Sequence, residues 1–470
     1  MLRSSFLHGV SALAAAPAAS VTASPVPRAL GSEDLIDPAS MQADLDALIA
    51  TLVEVGVAPF RASSQPDFLR RADILRDSLV TSLPLRTFYL ELAALFASLN
   101  DGHCGISPNF YLAEYDRGMP VALPLETSIE DDGVYVVRDL GAGVIPPGSR
   151  IERVESLSGE ELKRGAMQLQ GAQTEALRRS YARVGRFLYL RLGARSSYAL
   201  TYRPPGRGAP VTASVKLLIK DEFLRAFGAG APGDSTPYSF RALRRNVGLI
   251  HYRSCTDAEK MSAFCSETFA RIRREDTRAL IVDVRDNGGG NSGVSDVLFP
   301  YLTAQPYAQF GAFEMRISDR LKREYGREKF SAIYNFGGWT APDGSILRYP
   351  GGRLTTPRRE PLRFAGPIYV LLGTNTFSSA MNFATAVKDF RIATLVGQET
   401  GEPVVSTGEI YRTAAPNSGC GAFFSTKLFF GPKPHPEGQG VVPDIVVPTT
   451  LGDRIAGRDP VMEKALALID

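Results

Sequence analysis

Four cysteines, four histidines and one tryptophan are all that 470 residues contain of these types. None of Cys104, Cys255, Cys265 and Cys420 stands in a CxxC pair, so no structural zinc site is expected, and no metal or cofactor is called for. Four cysteines in so long a chain make no disulfide framework, although Cys255 and Cys265 could pair. No stretch approaches the ~20 consecutive apolar residues that a membrane span needs. Charge of one sign is also missing. The 53 basic and 50 acidic residues leave a net charge of +3, and no basic tract occurs, so nucleic acid is not an expected partner. Nor does any repeat at a solenoid period appear.

What is present is an ordinary globular balance, 44% hydrophobic and 22% charged, enough for a sizeable core divided among roughly three domains at about 150 residues each. Residues 1–24 carry Arg3, a small apolar stretch from Phe6 and a Val21-Thr22-Ala23 site before Ser24. This is the layout of a secretory signal peptide and predicts export, to the periplasm or outside the cell. An Ala-rich leader without structure is the plainer alternative. A Pro- and Ser-bearing linker covers 25–40. From Met41 to Leu99, Leu45, Leu48, Ile49 and Leu52, and again Leu92, Leu95, Phe96 and Leu99, recur at helical spacing and predict a helical domain. Residues 118–220 change character. Strand-like runs at Val134-Tyr135-Val136-Val137 and Tyr198-Ala199-Leu200-Thr201-Tyr202 flank Pro146-Pro147-Gly148-Ser149-Arg150-Ile151, which resembles a PDZ-like module with a groove for an extended peptide. A Gly/Pro/Ala-rich linker follows at 206–236, with a helix near 221–227. Beyond it, strands at Val247–Tyr252, 279–284, Ile368–Leu372 and 393–396 alternate with helices at 257–273 and 378–390, the pattern of a sheet covered by helices. Residues 306–365 show no period.

Four short segments carry possible chemistry. Ser378, in Asn375-Thr376-Phe377-Ser378-Ser379-Ala380, lies between a buried strand and a helix, where free N–H groups and the helix dipole favour a developing oxyanion. Serine is also a preferred helix cap, which is the plainer reading. Asp283-Val284-Arg285-Asp286-Asn287-Gly288-Gly289-Gly290 ends a strand in a glycine run whose amides can turn toward a ligand. No GK[ST] follows, so it is no phosphate loop of the Walker type; a tight turn would use the same glycines. Of the four histidines, His8 lies in the leader, His251 inside an apolar strand and His435 between two prolines. His103, in Asn100-Asp101-Gly102-His103-Cys104, occupies a polar loop after a helix, and elimination favours it as a general base. Glu437, in Glu437-Gly438-Gln439-Gly440, could orient such a base, but alone it reads as a solvated loop residue.

In their order and spacing these segments, with Val396-Gly397-Gln398-Glu399-Thr400 and Gly440-Val441-Val442-Pro443-Asp444, resemble the tail-specific (C-terminal processing) protease family of serine peptidases, closer to its tricorn-like and chlamydial-protease-like branch. The resemblance covers about 85–450. It implies an α/β (α+β multidomain) fold with a crotonase/ClpP-like core over 237–450, a PDZ-like β-rich module at 118–220, an N-terminal helical cap within 25–100 and a C-terminal helix in 451–470. It also implies a serine endopeptidase acting on protein or peptide substrates. Carried over by position, Ser378 is the nucleophile, His103 the base and Glu437 its orienting acid, with the Ser379 amide and Gly289 or Gly290 as oxyanion donors. A one-residue shift in register would make Ser379 the nucleophile. The family's other branch uses a Ser–Lys dyad, but its lysine position falls on Pro403, and Lys388 is on a different turn of the helix. The tricorn type carries a serine where this chain has Gly102. Three rivals stand beside this reading: a catalytically silent peptide-binding protein of the same fold, an acyl-CoA enzyme of the wider crotonase-like superfamily, and Cys104 as a nucleophile.

Overall fold

The computed structural model describes residues 30–206, 208–228, 236–334, 337–351 and 354–470; the expected signal peptide lies outside them. Its helices begin where local chemistry allows. In Pro38–Val55 the Asp37 side chain accepts the Ser40 N–H and proline occupies the first turn, which satisfies an amide the helix leaves unpaired and is worth about 1 kcal/mol. Met41, Leu45, Leu48, Leu52 and Val55 then fall on one buried face, as the 3.6-residue period requires. Two more helices, Gln65–Ser78 and Leu85–Ala97, complete the N-terminal region.

The sheet that positions the site has the strand order Tyr238–Leu243, Val247–Tyr252, Ala279–Asp283, Ile368–Leu372, Thr394–Gly397, Ile445–Val446, parallel except for the first pair. Alternate residues face opposite layers. Leu280, Val282, Val370 and Leu372 pack with residues of the helices Ala258–Arg274, Gly293–Leu302 and Ser379–Asp389. Ala279, Ile281 and Leu371 pack with Val461, Ala465 and Ile469 of the helix Pro460–Ile469. Covered on both faces, these strands are continuous apolar runs. The Asp-x-Arg at the end of Ala279–Asp283 has a structural use: Arg285 bridges Asp283 and Asp459, 2.7 Å from each, and ties the sheet to that last helix.

A second sheet runs Ile346–Pro350, Ala312–Arg316, Gly421–Phe430, Ser406–Ala414, with Gly105–Ser107 added to Gly421–Phe430. A third runs Leu125–Glu130, Gly133–Asp139, Arg150–Val154, Ser197–Arg203, Val211–Lys216. The N-terminal helices, the third sheet and one face of the second share a continuous apolar core. Residues 306–365, which show no period in sequence, contain two short strands and the helix Asp319–Ile333, which is interrupted at Gly326 with φ 68°. The four cysteines are buried free thiols, so Cys255 and Cys265 do not pair. No helix among the described residues is long and apolar enough to cross a membrane.

Leu280 is fully buried at the centre of the parallel sheet. Leu280→Ala is expected to cost about 2–5 kcal/mol, read as a lowered urea midpoint of the fluorescence transition; an unchanged midpoint would contradict this account of the core.

Candidate active site

Both glycine run and serine follow the carboxyl ends of adjacent parallel strands, the usual place for ligands in a sheet of this kind. Ser378 stands at the start of the helix Ser379–Asp389 with φ 55° and ψ −126°, a conformation that costs a non-glycine residue of order 1–3 kcal/mol. It occupies the cap position, yet its side chain caps nothing. Its Oγ lies instead 3.1 Å from His103 Nε2. Close packing of the glycine turn allows this: a Cβ at Gly289 would fall 2.6 Å from Ser378 Cβ.

His103 is almost fully buried. Its ring stacks on Phe377 at a centroid distance of 4.6 Å, and its amide donates to Asp101 Oδ1 at 2.8 Å. Asp101 also accepts from Thr407 Oγ1 at 2.7 Å and Ser425 Oγ at 3.2 Å, so this buried carboxylate is well satisfied. Behind the imidazole, Nδ1 faces Glu402 Oε1 at 3.2 Å. Neither atom has another hydrogen-bond partner, and their approach is an ion-pair contact rather than an aligned hydrogen bond, a geometry that tightens in many active sites when substrate binds. Glu402 is 0% exposed, and its Oε2 accepts the backbone N–H of Ser378 in a short contact. One buried carboxylate therefore touches both the His103 ring and the backbone of Ser378. Burial of the imidazole disfavours its charged form; the charge and contact of Glu402, with Asp101 behind them, outweigh this and raise the pKa of His103 above its ordinary 6.5.

Residues 246–447 match the family model for peptidase family S41. They form an S41 peptidase domain. The enzyme class that goes with it is serine-type peptidase, a hydrolase. Among solved structures the chain is similar to mature CPAF complexed with lactacystin, at 17% identity and TM-score 0.62, covering 92% of this chain and 98% of that one. It is equally similar to mature CPAF, at 17% identity and TM-score 0.62, covering 92% and 97%. At such identity the likeness speaks for the fold.

His103 lies outside the S41 match and reaches Ser378 from the N-terminal side of the molecule. The acid expected from sequence does not join them. Glu437 is 84% exposed and pairs with Arg61 at 3.2 Å; its Pro436-Glu437-Gly438 turn lies at the surface, and the buried place behind His103 is filled by Glu402. The sequence signal for Glu402 is its neighbour Pro403, which falls on the lysine position of the resembled family's other branch; the structure places Glu402 itself against His103 and Ser378. Ser379 sits beside Ser378, but its Oγ donates to the Gly290 carbonyl at 2.7 Å and is not on His103. The Gly289 amide is taken by Asn287 Oδ1 at 2.9 Å, which removes it from the possible oxyanion donors. Gly102 has no room for a serine, since a Cβ there would lie 2.9 Å from the Phe377 ring.

The remaining candidates point elsewhere. Lys388 pairs with Asp444 at 2.5 Å, and His435 with Asp389 at 3.1 Å. His251 is only partly buried, with Nδ1 3.9 Å from Asp283. Cys104 Sγ contacts Asp101 and Ser425. Burial first, then the Asp101 charge, push its thiol pKa well up, the reverse of what a thiolate nucleophile needs. Among the described residues, no group of three or more His, Cys, Asp and Glu side chains is placed to hold a metal ion.

Two outcomes are expected. Glu402→Gln should lower kcat by about 10⁴-fold, the scale for replacing the orienting carboxylate of a serine hydrolase by its amide, while Glu437→Gln leaves kcat unchanged; equal effects, or the reverse order, would contradict the geometry. Because His103 must be neutral to accept a proton and its pKa is raised, kcat/KM should climb with pH through an apparent pKa above 6.5. A limb centred below that value would mean Glu402 does not act on His103.

Proposed function

We propose that this chain is a serine endopeptidase that cleaves protein or peptide substrates through an acyl-enzyme on Ser378. The observation that carries the reading is the 3.1 Å contact between Ser378 Oγ and His103 Nε2, backed by Glu402 on Nδ1. With the Nδ1 proton directed at Glu402, Nε2 is free to take the Ser378 proton as Oγ attacks the peptide carbonyl. The imidazolium that forms is stabilised by Glu402, then returns the proton to the leaving amine. Water repeats the sequence on the ester. Donors for the oxyanion are the Ser379 amide at the helix start and the Gly290 amide of the glycine turn; each is worth about 3 kcal/mol of transition-state stabilisation.

The crotonase/ClpP-like character of the core fits the parallel sheet and the helices on its faces. A PDZ-like role for 118–220 fits the outer strand Val211–Lys216, whose side chains are mostly exposed and which could accept a substrate segment as an added strand. An acyl-CoA enzyme or a silent binding protein would have no use for a strained serine held on a carboxylate-backed histidine.

Ser378→Ala should reduce peptide turnover by about 10⁶-fold and abolish labelling by a fluorophosphonate, while Ser379→Ala keeps both. Full peptidase activity in Ser378→Ala would overturn the assignment, and thioester hydrolysis without peptide hydrolysis by the unaltered protein would move it to the acyl-CoA class.

A further inference from the structure

The three loops that meet at the site come from distant parts of the chain, and one short segment touches all of them. Residues 172–181 lie outside the S41 match and consist of a turn followed by the helix Glu175–Tyr181. On the histidine loop, Gln173 Oε1 accepts the Gly102 N–H and Gln173 Nε2 donates to Asp101 Oδ1, both at 3.3 Å. Arg178 Nη2 donates to Asn100 Oδ1 at 2.5 Å. On the acid loop, Thr174 Oγ1 donates at 2.7 Å to the carbonyl of Gly401, the residue before Glu402. Leu177 packs so closely there that a Cβ at Gly401 would lie 2.8 Å from its own. On the nucleophile turn, Ser180 Oγ donates to Asn375 Oδ1, and Tyr181 meets Phe377 edge-on at 5.9 Å; Phe377 is the ring on which His103 stacks.

These contacts exceed what holding two surfaces together needs, because Gln173 and Thr174 are consecutive. One grips the backbone leading into His103, the other the backbone leading into Glu402. The separation of the base from its acid is thereby fixed through a single peptide unit of a third segment. We infer that 172–181 is a positioning brace for the serine peptidase site, with Gln173 and Thr174 setting the spacing of His103 and Glu402. The inference rests on the catalytic reading above. It makes the region 118–220 a contributor to turnover as well as to any peptide binding, without touching the reacting atoms.

The test is kinetic, on the full chain, with Gln173→Ala, Thr174→Val, the double variant and Thr174→Ser. Misplacing a catalytic group by about 1 Å can cost on the order of 10²-fold. The double variant should therefore lose about 10²-fold in kcat with KM within about threefold of the parent. Thr174→Ser, which retains the hydroxyl, should return more than half of the parent kcat. Circular dichroism and melting temperature establish that the variants are folded. Should Thr174→Val fail to fold, because Thr174 also caps the helix by accepting the Leu177 N–H, Gln173→Ala and Thr174→Ser decide the matter. Normal kcat in folded variants, a loss confined to KM, or a Thr174→Ser enzyme as poor as Thr174→Val would overturn the brace. Ser378→Ala is run beside them: if it is inactive while the brace variants are normal, only the brace fails, whereas an active Ser378→Ala removes the reading beneath it.

Discussion

A carboxylate sealed from water has to be matched, and at Glu402 the matching groups are the two on which the proposed chemistry depends. Its Oε2 holds the Ser378 amide and its Oε1 faces His103 Nδ1. Charge left unpaired in such a place is expensive; deleting one partner of a buried ionic pair costs about 3–5 kcal/mol. The same interaction therefore helps keep Ser378 in its left-handed, strained backbone conformation and His103 in register with the hydroxyl. Strain at the serine and burial of the acid are two sides of one arrangement.

The arrangement is assembled from outside the S41 domain as well as within it. The parallel sheet contributes two strand ends, the glycine turn and the nucleophile turn. The histidine arrives on a loop that follows the N-terminal helix Leu85–Ala97, and the strand after that loop, Gly105–Ser107, is stitched to Gly421–Phe430. Asp101 ties the loop to Thr407 and Ser425 on the second sheet. The N-terminal helices and the β-rich region share a core with that sheet, so His103 is held by the same apolar burial that stabilises the molecule.

What could be read from the sequence was what is local. The apolar strands, the helices with periodic faces and the glycine turn all announce themselves within a few residues, and so does a serine between a strand and a helix. His103 stands out because only four histidines compete and the others fall in the expected leader, a strand and a Pro-bounded turn. Pro403 ties this loop to the site only by position, and nothing local in Thr400-Gly401-Glu402-Pro403 marks Glu402 as a buried acid rather than a turn residue; its identity is a matter of tertiary contact. Glu437 matches the acid only by position along the chain, which carries no information on its exposure or its Arg61 pair. The strands and kinked helix within 306–365 escaped notice for a related reason: Ile346–Pro350 is a short outer strand with an exposed alternate face, and Gly326 breaks the helical period at its centre.

On this structure Glu402, rather than Glu437, is expected to govern the imidazole of His103. The most direct measurement is an NMR titration of the His103 ring nitrogens in the Ser378→Ala protein, repeated with Glu402→Gln and with Glu437→Gln. A midpoint above 6.5 that drops on Glu402→Gln and stays in place on Glu437→Gln is the predicted result. A midpoint that moves only with Glu437→Gln, or with neither, would contradict it.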